Sequence, residues 1–329
     1  MNTGTLLTIA IPTYNRATYL DACLQQICEP FKKFDDRLEL IVSDNNSDDS
    51  TDSIVKKYIA LGLKIKYLKN SCNIGFDGNF TRCYNESTGK YLLILGDDDI
   101  LLDEALEYII AIIEGGDYGV VYLASYGFVE NFNIEKPKYF KNDFSIYNDK
   151  IKFLKKVNYN LTFISGNIIN KTVVPASLNL NEFYGTNLVH LSWILSALFN
   201  SDKNVYINRY LVAAKMDNTG GYRLCEVFGI NLVKIFNILI EHNYIAKESI
   251  HIIVNKLLIS FFPYHILRIR IRKTNFLHEN FYEILYPSFN KYLAFWVYAV
   301  PVIKLPIALA RIWHLGVRVL NKLMIYLGK

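Results

Sequence analysis

The stretch Tyr91–Asp99 reads YLLILGDDD. Tyr91 to Leu95 is an unbroken apolar run with the length and bounds of a fully buried strand. Gly96 then lets the backbone turn. Asp97, Asp98 and Asp99 follow at once, and the next charges, Asp103 and Glu104, are acidic too. Carboxylates this close raise one another's pKa unless a cation neutralises them. Oxygen-only donors on a short loop suit Mg²⁺ or Mn²⁺. The same residues also fit a solvated turn that caps a helix starting near Leu102, because acidic side chains favour helix starts. The segments before the stretch decide between the two.

Working outward toward the N-terminus, strands and helices alternate. Leu6–Ile11 predicts a first strand ending at Pro12. A helix over Ala17–Cys28 follows, with Leu20, Cys23, Leu24 and Ile27 at helical spacing. Leu38–Val42 predicts a second strand, running into the polar loop Ser43–Thr51, and Ile54–Ala60 a second helix. Lys64–Leu68 alternates as a third strand. Asn73–Gly75 predicts a turn, and Asn79–Ser87 a helix. Beyond the acidic stretch, Asp103–Glu114 reads as helix and Val120–Leu123 as a fifth strand. This order implies an α/β fold, a mostly parallel sheet with helices on both faces. Ligands of such sheets sit beyond the carboxyl ends of the strands. Four polar loops fall there: Thr13–Arg16, Asp44–Thr51, Asn73–Asn79 and Asp97–Asp99. Each alone is ordinary turn chemistry; convergence on one edge points to a binding site.

The middle of the chain is less regular. Phe163–Asn170, Lys203–Ile207 and Leu211–Met216 predict strands, and Thr186–Phe199 a helix with His190 near its start. Asp217–Gly221 predicts a flexible loop that could close over a ligand. From Tyr222 the pattern becomes helical, which divides the chain into residues 1–221 and 222–329.

Hydrophobic residues make up 51% of the 329, enough for a sizeable core and against disorder. The five cysteines lack CxxC spacing, and the N-terminus lacks a basic region and long apolar run, so free thiols in a reducing compartment and no secretory signal are expected. After Glu283 no acidic residue occurs, while six cations do: Lys291, Lys304, Arg311, Arg318, Lys322 and Lys329. The longest charge-free run there, Tyr292–Ile303, has 12 residues, against about 20 for a span. Arg311, His314, Arg318 and Lys322 recur every three or four residues, so they share a helical face, with Trp296 and Trp313 suited to headgroups. This predicts a basic helix lying on an anionic membrane surface. A core helix packed on its own domain is the alternative.

The four loops in this order, IPTYNR (Ile11–Arg16), SDNNSDDST (Ser43–Thr51), NIGFDGN (Asn73–Asn79) and LGDDD (Leu95–Asp99), resemble family 2 glycosyltransferases with the GT-A fold. Tyr184-Gly185-Thr186 with His190, and Asp217-Asn218 after a strand, are similar to the abequosyltransferase-type branch of O-antigen assembly. The resemblance implies a nucleotide-diphosphate sugar donor held by Thr13, Tyr14, Arg16, Asp44, Asn73, Gly75, Asn79 and Asp98. It implies a divalent metal, Mg²⁺ or Mn²⁺, on Asp99, with Asp98 holding the ribose or the metal and Asp97 as an extra carboxylate. It implies a lipid-linked or oligosaccharide acceptor, no nucleic-acid partner, and a place on the inner face of the cell membrane.

Two departures from the family stand out. Gly96 occupies a position where many members have Asp. No acidic residue lies between Glu182 and Asp202, where many inverting members carry the catalytic base. His190 is then the candidate base, with a metal-ligand or core role as alternatives, and Asp217 the second candidate. A metal-dependent nucleotidyltransferase and a non-catalytic membrane scaffold are the rival readings; the first usually carries a Gly-rich basic loop after its first strand, which Thr13–Arg16 is not.

Overall fold

The computed structural model describes residues 4–34, 36–138, 143–216, 222–273 and 276–326, with the side chains of the last helix described to Leu320. The chain forms two compact units. The first takes residues up to Met216 together with Glu241–Ala246; the second takes the remainder.

In the first unit, β1 (Leu7–Thr13), β2 (Leu38–Asp44), β3 (Ile65–Lys69) and β4 (Tyr91–Ile94) pair in parallel in the order β3-β2-β1-β4. Register matches Leu7 with Leu38 and Tyr91, so the strand ends Thr13, Asp44, Lys69 and Ile94 leave at one edge. Helices α1 (Ala17–Lys32), α2 (Thr51–Ala60) and α3 (Gly75–Glu86) make the crossovers. Apolar side chains on β1, β2 and β4, among them Leu7, Ile9, Ile11, Leu40, Val42 and Leu93, pack with Leu20, Leu24, Ile27 and Phe31 of α1. Burying each such side chain stabilises by roughly 1.5–3 kcal/mol.

The second half of the sheet is mixed. It contains β5 (Ile100–Leu101), β6 (Val120–Phe128), β7 (Phe144–Tyr147), β8 (Asn167–Asn170) and β9 (Asn204–Lys215). β8 lies antiparallel between β4 and β6, β6 runs parallel to β9, and β5 and β7 pair antiparallel with β9. Helices α4 (Ala105–Glu114), α5 (Lys150–Val157) and α6 (His190–Phe199) complete the unit.

Several expectations are corrected here. The acidic stretch does not cap a helix, because Asp99 runs into β5 and α4 starts only at Ala105. Phe163–Asn170 is not one strand. Ile164–Gly166 forms a 3-10 turn, and the Asn167 side chain donates back to the carbonyls of Leu161 and Phe163 at 3.1 and 2.7 Å, folding the chain before β8 begins. The segments Lys203–Ile207 and Leu211–Met216 are one strand, β9, whose register against β6 shifts at Ala124 and absorbs the residues between them. Finally, α6 starts at His190, because Thr186 bonds locally: its hydroxyl donates to the Phe183 carbonyl and accepts the Leu188 N–H.

The second unit is helical: α7 (Leu232–Glu241, whose last residue is counted with the first unit), α8 (Ser249–Lys256), α9 (Phe262–Arg270), α10 (Phe281–Phe289), α11 (Val300–Lys304) and α12 (Ile307–Tyr326). Ser249–Arg270 is helical throughout its 22 residues and long and apolar enough to cross a membrane. It also has the composition of a core helix, and Leu257, Leu258, Phe262 and Ile266 along it are fully buried. The tail differs from expectation at His314. Its side chain turns inward with Ala310, and both ring nitrogens are buried without a hydrogen-bond partner among the described residues. The outer side of α12 carries Arg311 and Arg318 together with Leu309, Ile312, Trp313, Leu315, Val319 and Leu320, all exposed.

Candidate active site

The turn after β4 places three carboxylates at the carboxyl edge of the sheet, beside the end of β1. Asp97 is buried; one oxygen accepts the Thr13 hydroxyl at 2.8 Å and the other Arg16 Nη1 at 2.9 Å. The same Arg16 nitrogen reaches Asp98 Oδ2 at 3.2 Å. Asp99, also buried, accepts the Ser165 hydroxyl at 2.5 Å on Oδ2 and the Lys215 backbone N–H at 3.0 Å on Oδ1. Ser165 Oγ in turn accepts the Gly96 N–H at 2.9 Å.

Burial, offset only in part by Arg16 and Thr13, raises Asp97 to about 6; the Asp98 charge adds to the rise. Burial first, and the Asp98 charge second, push Asp99 up as well, against the pull of Ser165 and the Lys215 N–H. Asp97 and Asp98 share the Arg16 guanidinium, and like-charge repulsion within the acidic turn is what a bound cation would relieve.

Gly96 leaves little room for a side chain. A Cβ there would lie 3.0 Å from Asp99 Oδ2 and 3.2 Å from Asp98 Oδ1, so those carboxylates would have to shift by a few tenths of an ångström. The Asp98 and Asp99 carboxylates thus crowd the position where many members have Asp. Asp97 was expected among the metal ligands; its two oxygens accept from Thr13 and Arg16, as those of Asp99 accept from Ser165 and Lys215. Among the described residues, no three His, Cys, Asp or Glu side chains converge as a ready metal set.

The remaining predicted residues form the wall next to this edge. Asp44 is wholly buried; it accepts the Ser47 N–H at 2.8 Å and the Tyr67 hydroxyl at 2.7 Å, with Lys69 Nζ at 3.9 Å. Asn73 and Gly75 are tied to β2 through Asn45, whose amide nitrogen donates to Asn73 Oδ1 at 2.8 Å and the Gly75 carbonyl at 3.2 Å. Gly75 sits at φ +76°, a conformation that favours glycine. Asn79 exchanges hydrogen bonds with the Ser43 hydroxyl and carbonyl at 2.7 and 3.0 Å. Tyr14 is 44% exposed at the mouth.

His190 stands apart from the carboxylates. It is 2% exposed, packed near Phe76 and Phe80, and its Nε2 lies 3.0 Å from the Thr162 carbonyl. That bond makes Nε2 the protonated nitrogen and leaves Nδ1, which has no partner among the described residues, as the lone-pair atom. Burial lowers its pKa to about 4. Asp217 lies outside the described residues. Ser165, Tyr67, Asn45 and Asp77 hold the site together and were not anticipated as such. For Asp77 a signal existed, since it stands inside NIGFDGN; Ser165 gave none.

A sheet with four parallel strands and carboxylates clustered at their carboxyl edge is the arrangement of the GT-A fold. The pattern of glycosyl transferase family 2 matches residues 8–172, half of the chain, and the chain belongs to that family. It is 36% identical over 102 residues to abequosyltransferase RfbV of Salmonella typhimurium, covering 31% of this chain and 30% of the relative. It is 30% identical over 184 residues to the GalNAc(5)-diNAcBac-PP-undecaprenol beta-1,3-glucosyltransferase of Campylobacter jejuni, covering 54% of this chain and 56% of the relative. The matches thus span 30% and 56% of the length of these two curated relatives. Among solved structures, S. aureus TarS 1-349 in complex with UDP-GlcNAc superposes with a TM-score of 0.59 at 16% identity, over 99% of this chain and 93% of that one. Mannosyltransferase PcManGT of Pyrobaculum calidifontis, in complex with GDP-Man and Mn²⁺, gives 0.51 at 14% identity, over 95% of this chain and 88% of that one. The motif-based resemblance to the family and the GT-A expectation are both borne out.

Proposed function

We propose that this chain transfers a sugar from a nucleotide-diphosphate donor to a hydroxyl of a lipid-linked or saccharide acceptor, in the building of a cell-surface polysaccharide. The observation that carries the reading is the buried carboxylate turn Asp97–Asp99 at the carboxyl edge of the parallel strands. In the reaction the acceptor oxygen bonds to the anomeric carbon, the bond from that carbon to the diphosphate breaks, and the hydroxyl proton passes to a base.

Asp98 and Asp99 suit a divalent cation, whose role when bound is to neutralise the leaving diphosphate. The Arg16 guanidinium, which lies nearer to Asp97 than to Asp98, supports this choice over Asp97. Asp97 instead fixes Thr13 and Arg16 at the end of β1. Asn73, Gly75, Asn79 and Asp44 shape the nucleotide side, Asp44 through Ser47 and Tyr67. His190 is the candidate base through Nδ1, since the Thr162 carbonyl sets its tautomer. Its burial requires the Phe76 side to open before a hydroxyl can reach it.

The exposed apolar and cationic side of α12 fits a helix lying on an anionic membrane, where a lipid-linked acceptor is confined to the same surface. On this reading the protein lies on the cytoplasmic leaflet. The test of the reaction is a screen of nucleotide sugars with and without Mn²⁺ or Mg²⁺. Release of nucleoside diphosphate from at least one donor, lost on chelation, is expected. Release from none would favour a non-catalytic scaffold.

A further inference from the structure

Asp77 stands in the first turn of α3, two residues after Gly75, within the nucleotide-side loop Asn73–Asn79. Its carboxylate does not face that loop. It reaches a segment 110 residues away: Oδ2 accepts the Asn187 N–H at 3.0 Å, and Oδ1 accepts the Val189 N–H at 3.2 Å. The backbone N–H groups of Gly185 and Thr186 also act on the same carboxylate. The receiving loop is bent by Gly185 at φ +79° and Asn187 at φ +58°, so successive amides line a concave nest for an anion. Asp77 fills it and is 5% exposed.

The loop so held, Tyr184–Val189, immediately precedes His190 and α6. It presents Tyr184, Gly185 and Asn187 outward. No side chain on α6 itself is acidic. A carboxylate does stand at the start of that helix, but it is donated by α3. One side chain therefore joins the segment assigned to the nucleotide with the segment that leads into the candidate base.

We propose that Asp77 is a positioning residue. It ties the loop Tyr184–Val189 to the nucleotide-side loop Asn73–Asn79, so that a nucleotide bound at the second orders the first. The tie follows from the hydrogen bonds; the coupling rests on the sugar-transfer reading above.

The experiment is amide hydrogen exchange on the full chain, comparing the native protein with Asp77→Ala and Asp77→Asn. In Asp77→Ala the Asn187 and Val189 amides should exchange about tenfold faster or more, the effect of losing a charge-assisted hydrogen bond. Leu195 and Leu198, inside α6, should keep their protection. Asp77→Asn, which retains one carbonyl acceptor, should fall between. Adding UDP or GDP with MnCl₂ should slow exchange over residues 185–189 in the native chain and not in Asp77→Ala, with nucleotide affinity falling in the variant by about the factor of that slowing, because coupling between two sites is reciprocal. Unchanged exchange at Asn187 and Val189 overturns the tie. Equal loss at Leu195 and Leu198 overturns it as well, since Asp77 would then only stabilise the fold. A nucleotide effect of the same size in both proteins overturns the coupling while leaving the sugar-transfer reading standing. A native chain that binds neither nucleotide overturns the coupling to these nucleotides and leaves the sugar-transfer reading to the donor screen, whereas protection lost only in Asp77→Ala still supports the tie.

Discussion

Ser165 Oγ lies 2.5 Å from Asp99 Oδ2 and accepts the Gly96 N–H at 2.9 Å. One hydroxyl thus fixes both the turn and the last carboxylate of the acidic stretch. Donation to a buried carboxylate is a charge-assisted bond, stronger than a neutral one. Ser165→Ala should leave the fold intact and lower turnover by about tenfold to a hundredfold, because a carboxylate misplaced by about an ångström costs that much. Ser165→Thr, which keeps the hydroxyl, should recover part of the loss. Steady-state release of nucleoside diphosphate from the best donor measures this; equal activity of Ser165→Ala and native protein would refute a role for the bond.

The carboxylates themselves should separate by role. Asp99→Asn removes a charge from the acidic turn and should abolish metal-dependent turnover with little change in melting temperature. Asp97→Asn should instead loosen Arg16 and Thr13, weakening nucleotide binding more than the metal requirement. Gly96→Asp should not add a useful ligand, because its Cβ would meet Asp98 and Asp99 oxygens at 3.2 and 3.0 Å. Titration of each variant with MnCl₂ and a nucleotide distinguishes these outcomes. Identical losses in Asp97→Asn and Asp99→Asn would show that the roles are misassigned.

The four loops were legible in the sequence because each is local: a strand and then a polar loop, followed by a helix in three cases and by β5 in the fourth. What holds them was not. Ser165 meets Asp99 across 66 residues, Tyr67 meets Asp44 across 23, and Asp77 meets Asn187 across 110. No period or composition marks such pairs. The same limit explains the 3-10 turn at Ile164–Gly166. Its sequence is apolar enough for a strand, but Ser165 is drawn to Asp99 and Asn167 bonds backward. In the tail, spacing correctly put His314 on a helix; packing turned it away from the cations expected beside it.

His190 makes a pH prediction. Its folded pKa is about 4, lowered from 6.5 by burial. Above pH 6.5 both folded and unfolded forms are neutral, and the full stability is present. As pH falls through 6.5 the unfolded chain gains a proton that the folded chain refuses, so stability drops until about pH 4. The loss from this group is on the order of 3 kcal/mol at most. Asp97 and Asp99, raised by burial, act in the opposite direction, so the comparison must be between variants. His190→Gln should flatten the pH dependence of the denaturation midpoint between pH 4 and 6.5 relative to the native chain. Its turnover should also fall by about 10² to 10⁴ if Nδ1 is the base. A flattened pH curve with full turnover would leave His190 a core residue and move attention to Asp217.

The last prediction concerns α12. Ile312 and Leu315 are 68% and 63% exposed, beside Trp313, Val319 and Leu320 and the cations Arg311 and Arg318. A helix with that much apolar surface in water, on an acid-free tail, is suited to an anionic bilayer surface. Deleting the helix would also remove Ala310 and His314 from the packing of their own unit, so substitutions at the exposed side are the cleaner test. Ile312→Glu with Leu315→Glu should leave the melting temperature within a few degrees, since neither side chain is buried. Binding to vesicles rich in anionic lipid should fall by at least about tenfold, from lost apolar insertion and added like-charge repulsion. Arg311→Gln with Arg318→Gln should weaken binding less and make it less sensitive to salt, because each cation near an anionic surface contributes about 1 kcal/mol, which salt screens. Turnover on a short soluble acceptor should survive both pairs of changes, while turnover on a lipid-linked acceptor in vesicles should fall with binding. A tail that never binds vesicles would make α12 an ordinary packing element with an unusually apolar outer side. Retention through high salt and alkaline carbonate would instead point to a spanning segment, and Ser249–Arg270 is the described helix long enough to provide it.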